Sequence, residues 1–133
     1  TSISSTPMML ANTKKVALPV MRALPREIAE MAARFRDARW TEGWFKCQRD
    51  FAYADAYIAV LNPAVKPDGW KPPAEHVCKM TAECSQPYRD AALAYESAAA
   101  QRVFIAGEYD AVCRKADMVN GLAATERRGM GAG

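Results

Sequence analysis

Four cysteines and a single histidine are the residues of this chain with the most specific chemistry: Cys47, Cys78, Cys84, Cys113 and His76. Thiols at fixed positions form disulfides, hold metal ions or act as nucleophiles, and their spacing helps to separate these uses. Zinc sites favour close pairs such as C-x2-C, whereas 30, 5 and 28 residues lie between successive cysteines here. A Cys47, His76, Cys78 and Cys84 cluster is conceivable, but His76 beside a proline-rich loop reads more simply as an exposed or capping residue. The sequence holds no C-x-x-C redox pair and no second histidine to activate a thiol. Disulfides are the reading that remains, and four cysteines allow three pairings.

Other chemistry is thinly represented. The carboxylates Asp50, Asp55, Glu75, Glu83, Asp90, Glu96, Glu108 and Asp110 are scattered over helical segments, and none forms the spaced pair in an apolar setting that acid–base work requires. No Gly-rich phosphate loop, H-E-x-x-H or G-x-S-x-G motif occurs, so the expectation is a non-catalytic protein without metal or cofactor. The 18 basic and 15 acidic residues are interleaved, and the net charge of +3 does not indicate nucleic-acid binding. Charged residues interrupt every apolar run, which leads us to expect a soluble or peripheral protein with no transmembrane span. The chain opens on Thr1 instead of methionine, as expected if a targeting segment has been removed.

The elements that must position the cysteines are helical. With 26 Ala against 7 Gly in 133 residues and no period-two alternation, the expected fold class is all-α, in one domain. Residues 1–23 lack periodicity and read as an extended arm whose Met8, Met9 and Leu10 lie against another surface. Pro25 and Glu27 suit a helix start. Ile28, Met31 and Phe35 then share a face, continued at spacings of three and four by Trp44, Cys47, Phe51, Ala54, Ile58 and Leu61. Gly43 is a point where that helix could divide, and Asn62-Pro63 ends it. Residues 62–73 hold four prolines and an Asp-Gly pair, a rigid loop in which Trp70 acts as a plug or an interface anchor. Trp40 and Trp44 are further interface candidates.

A short helix is expected over 74–84, followed by another with Ser85 as N-cap and an apolar stripe Ala92, Tyr95, Ala99, Val103, Ala106, Tyr109, Cys113 and Ala116. Gly121 reads as its stop, leaving residues 121–133 as a flexible tail. The Cys47–Cys78 midpoint falls on Asn62-Pro63, so a hairpin there would bring these sulfurs level. Pairing Cys84 with Cys113 needs a break near 97–101, because one straight helix would hold them about 43 Å apart. We prefer this sequential pairing; the rival joins Cys47 to Cys113 and Cys78 to Cys84.

Local motifs around these cysteines resemble a known family. Ala32-Ala33 lead to Trp44-Phe45-Lys46-Cys47; Glu83-Cys84-Ser85-Gln86-Pro87-Tyr88 follows, then Phe104, and Glu108-Tyr109-Asp110-Ala111-Val112-Cys113 closes the series. Over residues 28–120 this is similar to the double coiled-coil-helix–coiled-coil-helix (CHCH) accessory subunits of respiratory complex I (PGIV type), with one disulfide per hairpin instead of two. The resemblance implies disulfide-stapled hairpins over 24–120, with Cys47 bonded to Cys78 and Cys84 to Cys113. It also implies a structural subunit on the intermembrane-space face of a mitochondrial respiratory assembly, whose partners are other protein subunits of a large membrane complex. The thylakoid lumen is another expected location for such a subunit. The alternative class is a secreted or periplasmic helical protein that binds a small apolar ligand among Met80, Tyr88, Tyr95 and Phe104.

Overall fold

A computed structural model of the chain describes the backbone of residues 2–132 and the side chains of residues 22–129. Its described residues form three helices and no strand: α1 (Ser2–Leu61), α2 (Glu75–Cys84) and α3 (Gln86–Ala132). The all-α class is as expected. No helix among the described residues is long and apolar enough to cross a membrane.

The connections follow from local chemistry. The Asn62 N–H donates to the Ile58 carbonyl at 2.8 Å, and α1 stops there because Pro63 has no N–H to carry the ladder on. In the proline loop the Trp70 N–H donates to the Pro67 carbonyl at 3.0 Å across a turn whose third residue, Gly69, has φ 76°, a conformation glycine adopts without strain. Half-buried Trp70 carries the Lys66 ammonium 5.1 Å above its ring. Ser85 alone separates α2 from α3 in extended conformation. Its N–H and hydroxyl both donate to the Ala82 carbonyl, at 3.2 and 2.7 Å, so the side chain closes the end of α2 instead of capping α3.

The long helices override three punctuation signals. α1 begins at Ser2, so the backbone of the expected extended arm, 1–23, is helical from that residue on, and Pro25 lies inside the helix instead of opening it. The side chains of Met8, Met9 and Leu10 lie outside the described residues. Gly43 does not divide α1, and α3 passes Gly121 to reach Ala132, so the tail expected to be flexible is helical up to that residue. Extending an existing helix fixes one residue per hydrogen bond gained, and an isolated glycine, about 1 kcal/mol poorer than Ala, does not stop it. The break near 97–101 that a Cys84–Cys113 bond needs is also absent, because α3 is unbroken through those residues.

The chain divides into two compact units, each built from parts of both long helices: unit 1 is Thr1–Arg36 with Phe104–Gly133, and unit 2 is Asp37–Val103. In unit 1, Leu24, Ile28, Met31 and Phe35 form a stripe at spacings of three and four, with Leu24 and Met31 buried. It meets the α3 stripe Ile105, Tyr109, Val112 and Ala116, of which Ile105 and Ala116 are buried. This alternation is the signature of a coiled-coil seam. Phe35 stacks on Tyr109 at 6.0 Å, Arg34 Nη1 lies 3.6 Å from Glu108 Oε2, and Lys115 Nζ lies 3.6 Å from Glu27 Oε2. Numbers rise on α1 as they fall on α3, so the pairing is antiparallel.

Unit 2 carries its own antiparallel seam: Ala38, Glu42, Phe45, Arg49, Ala52 and Ala56 on α1, and Tyr88, Ala91, Tyr95, Ala98 and Arg102 on α3. Small residues fill its tightest points, with Ala38 and Ala98 buried. Three seam positions are charged and each finds a partner. Arg102 Nε donates to Glu42 Oε2, and the Arg49 guanidinium lies 4.5 Å above the Tyr95 ring while also bonding Asp50 at 3.2 Å. Tyr53 meets Tyr88 edge to face at 5.7 Å, and α2 contributes fully buried Cys78 and Ala82.

Two expected outcomes test this arrangement. Ala at Gly43, where an added Cβ meets nothing within 4 Å, raises stability by about 0.5–1 kcal/mol in urea unfolding followed by circular dichroism. A double-mutant cycle with Glu42→Gln and Arg102→Gln returns a coupling of about 1–2 kcal/mol; a coupling near zero would mean the pair is not held in the seam.

Candidate functional site

The structure separates the cysteines by environment. All four carry free thiols. Cys47 is exposed on α1, Cys84 is exposed at the last residue of α2, and Cys113 is half-buried on α3. Cys78 is fully buried, with Sγ 3.7 Å from the Pro73 carbonyl oxygen, a weak thiol hydrogen bond that ties α2 to the end of the proline loop. The expected hairpin centred on Asn62-Pro63 would set Cys47 beside Cys78. In unit 2, however, neighbouring Arg49 lies against Tyr95, so this stretch of α1 pairs with α3. The loop and α2 together form the connection, and the antiparallel pairing within unit 2 is centred about ten residues further along the chain than expected.

No group of three His, Cys, Asp or Glu side chains among the described residues could hold a metal ion, and the Cys47, His76, Cys78, Cys84 set is not brought together. His76 is exposed in the first turn of α2. Nearby, Lys79 is an exposed ammonium whose pKa is raised above its ordinary value, first by the hydrogen bond to Glu75 one turn earlier and then by that carboxylate's charge. Smaller contributions come from Tyr53 and Tyr57 of α1.

The candidate ligand-lining set is distributed differently from a pocket. Met80 is exposed on α2; Tyr88 and Tyr95 are half-buried in the unit 2 seam, where Tyr53 and Arg49 occupy their rings. Phe104 is exposed on α3 in unit 1.

A different feature stands out in unit 2. Trp40, Trp44, Phe51 and Ile58 are exposed by 69%, 51%, 65% and 58%, and with Cys47, Ala54 and Leu61 they follow spacings of four and three along α1. In a heptad whose seam positions are a and d, these residues occupy c and f, the face turned away from α3. Trp40 and Trp44 stack on each other at 5.8 Å. On α3, Leu93 in unit 2 and Phe104 and Met118 in unit 1 are also exposed, 11 and 14 residues apart. Trp40 and Trp44, expected as interface residues, are exposed; Trp44, Phe51 and Ile58, expected to continue the face of Ile28, Met31 and Phe35, lie on the opposite side of α1.

No known protein family, curated protein or solved structure matches the chain. The outer face of α1 is therefore read from its own geometry.

Thiol accessibility provides a direct check. With a maleimide under native conditions, Cys84 labels fast and Cys78 labels only when the protein unfolds. Native labelling of Cys78 at the rate of Cys84 would contradict its burial beside Pro73.

Proposed function

We propose that the chain is a non-catalytic structural subunit of a protein assembly, in which antiparallel helix pairs present apolar outer faces to neighbouring chains. The observation that carries this reading is the run of large exposed hydrophobic side chains at heptad spacing opposite the seam, Trp40, Trp44, Phe51 and Ile58 on α1. Scattered exposed apolar residues are ordinary on a protein surface, whereas a contiguous stripe marks an interaction site. Heptad spacing suits a helical partner, and aromatic residues are the common anchors of interfaces.

The finer form of the proposal places the subunit on the intermembrane-space face of a mitochondrial respiratory assembly, complex I in the first instance. It rests on the cysteine and aromatic motifs described for the CHCH-type accessory subunits. A disulfide between Cys47 and Cys78 would have to form within unit 2 by a rearrangement that brings the buried Cys78 thiol to the exposed Cys47. Non-reducing peptide mapping tests that bond.

Native gel electrophoresis of extracts from the source cells tests the function. The expected result is that the chain migrates with a complex far larger than 14.6 kDa, and that Phe104→Glu with Met118→Glu releases it while helix content by circular dichroism is retained. Co-migration with NADH dehydrogenase activity supports the complex I assignment, and co-migration with another complex removes it. A chain that always migrates alone ends the structural-subunit reading.

A further inference from the structure

We infer that the outer face of α1 in unit 2 pairs with the same face of a second copy of this chain, antiparallel and about a two-fold axis near Phe51. This deepens the proposed function, because it rests on the reading of that stripe as an interaction surface and names its occupant.

The area favours a partner of this kind. A fully exposed aromatic side chain presents about 150–250 Å². With the exposures of Trp40, Trp44, Phe51, Ile58 and Leu61, the stripe offers on the order of 600 Å² of accessible surface. Two copies would bury at most about 1,200 Å² through these side chains, which is the lower bound for specific, stable protein interfaces. A two-fold contact needs a surface complementary to itself, and one helix that repeats its apolar residues at four and three satisfies that in the antiparallel sense.

The registry follows from the rule the molecule already uses. In both seams residues of the same heptad class face each other: Phe35 meets Tyr109 in unit 1, and Arg49 meets Tyr95 in unit 2. Applied to the outer stripe, the same rule sets Phe51 against its own copy, Trp44 against Ile58, Trp40 against Leu61 and Cys47 against Ala54. Each indole then meets a smaller aliphatic side chain, and the two small residues meet each other, so the layers have balanced volumes. The flanks are compatible with this pairing. Gln48 of one copy comes beside Asp55 of the other and can donate to it. The two Asp50 carboxylates near the axis each keep their own counter-cation in Arg49, 3.2 Å away.

The experiment uses the full chain. Sedimentation velocity at tens of micromolar is expected to give twice the 14.6 kDa mass for the wild type, and the monomer mass for Trp44→Glu with Ile58→Glu at unchanged helix content. Cross-linking tests the registry: with Cys84 and Cys113 changed to Ser, adding A54C places a thiol opposite Cys47 of the other copy. Mild oxidation with copper phenanthroline then yields a covalent dimer on a non-reducing gel, whereas the parent with Cys47 and buried Cys78 does not. Within one chain, positions 47 and 54 lie about 10 Å apart along the helix, too far for a bond. A monomeric wild type overturns the inference, as does a dimer that survives Trp44→Glu with Ile58→Glu or that fails to cross-link through A54C. A monomer that still enters a larger complex defeats self-pairing alone; a monomer that enters none defeats the structural-subunit reading as well.

Discussion

The heptad contact between α1 and α3 is the constraint on which the rest of the structure depends. Two helices this long have no other way to remove apolar surface from water within one chain, since α2 is ten residues long. An apolar seam of Leu, Ile, Met, Phe and Ala would by itself tolerate sliding by a heptad, because one layer resembles the next. The charges restrict that freedom. In unit 1, Glu27 faces Lys115 and Arg34 faces Glu108. A slip of one heptad would set Glu27 beside Glu108 or Arg34 beside Lys115, exchanging attraction for repulsion. These exposed pairs contribute little to stability, about 0–1 kcal/mol each, yet they discriminate between registers that the apolar contacts barely distinguish.

Unit 2 achieves the same specificity inside its seam. Glu42 and Arg102 occupy positions where a coiled coil ordinarily places apolar residues, and each is about two-thirds or more removed from water. Any register that separates them leaves a partly buried charge without its partner, which costs more than their contact gains. Polar groups in a helical seam are the best-attested case of ionic residues retained for specificity, and here they stand where the small side chains Ala38 and Ala98 give the least shape information. Arg49 adds a third device, using the Tyr95 ring and Asp50 instead of an opposing acid.

Those same charges explain what the sequence concealed. Helix class, the end of α1 at Asn62-Pro63, the proline loop and α2 within one residue of its expected start were all legible, because each rests on local backbone chemistry. The facing surfaces were only partly legible. Ile28, Met31 and Phe35 were placed correctly, but beyond Phe35 the true seam runs through Glu42 and Arg49, while Trp44, Phe51 and Ile58 form the more hydrophobic stripe on the opposite side. Apolar periodicity selects the greasier face, and nothing local says that a glutamate will find an arginine sixty residues away. The position of the hairpin was concealed for a related reason. The first strong turn lies at Asn62-Pro63, but α2 is inserted into the connection, so residues equidistant from that turn do not face each other.

The presence of two opposed stripes on one helix bears directly on function. A surface helix of an isolated protein needs one apolar side and keeps the other polar; a helix apolar on both is normally buried on both. In unit 2 of this chain the a and d side of α1 is covered, and the c and f side leaves two indoles and a phenyl ring largely in water. Arg36, Asp50 and Asp55 border the stripe without dividing it. A charged residue at any of those positions would suit a water-facing helix side as well. At spacings of four and three these side chains match the surface of a second helix, and association with one is what the proposed function asks of them.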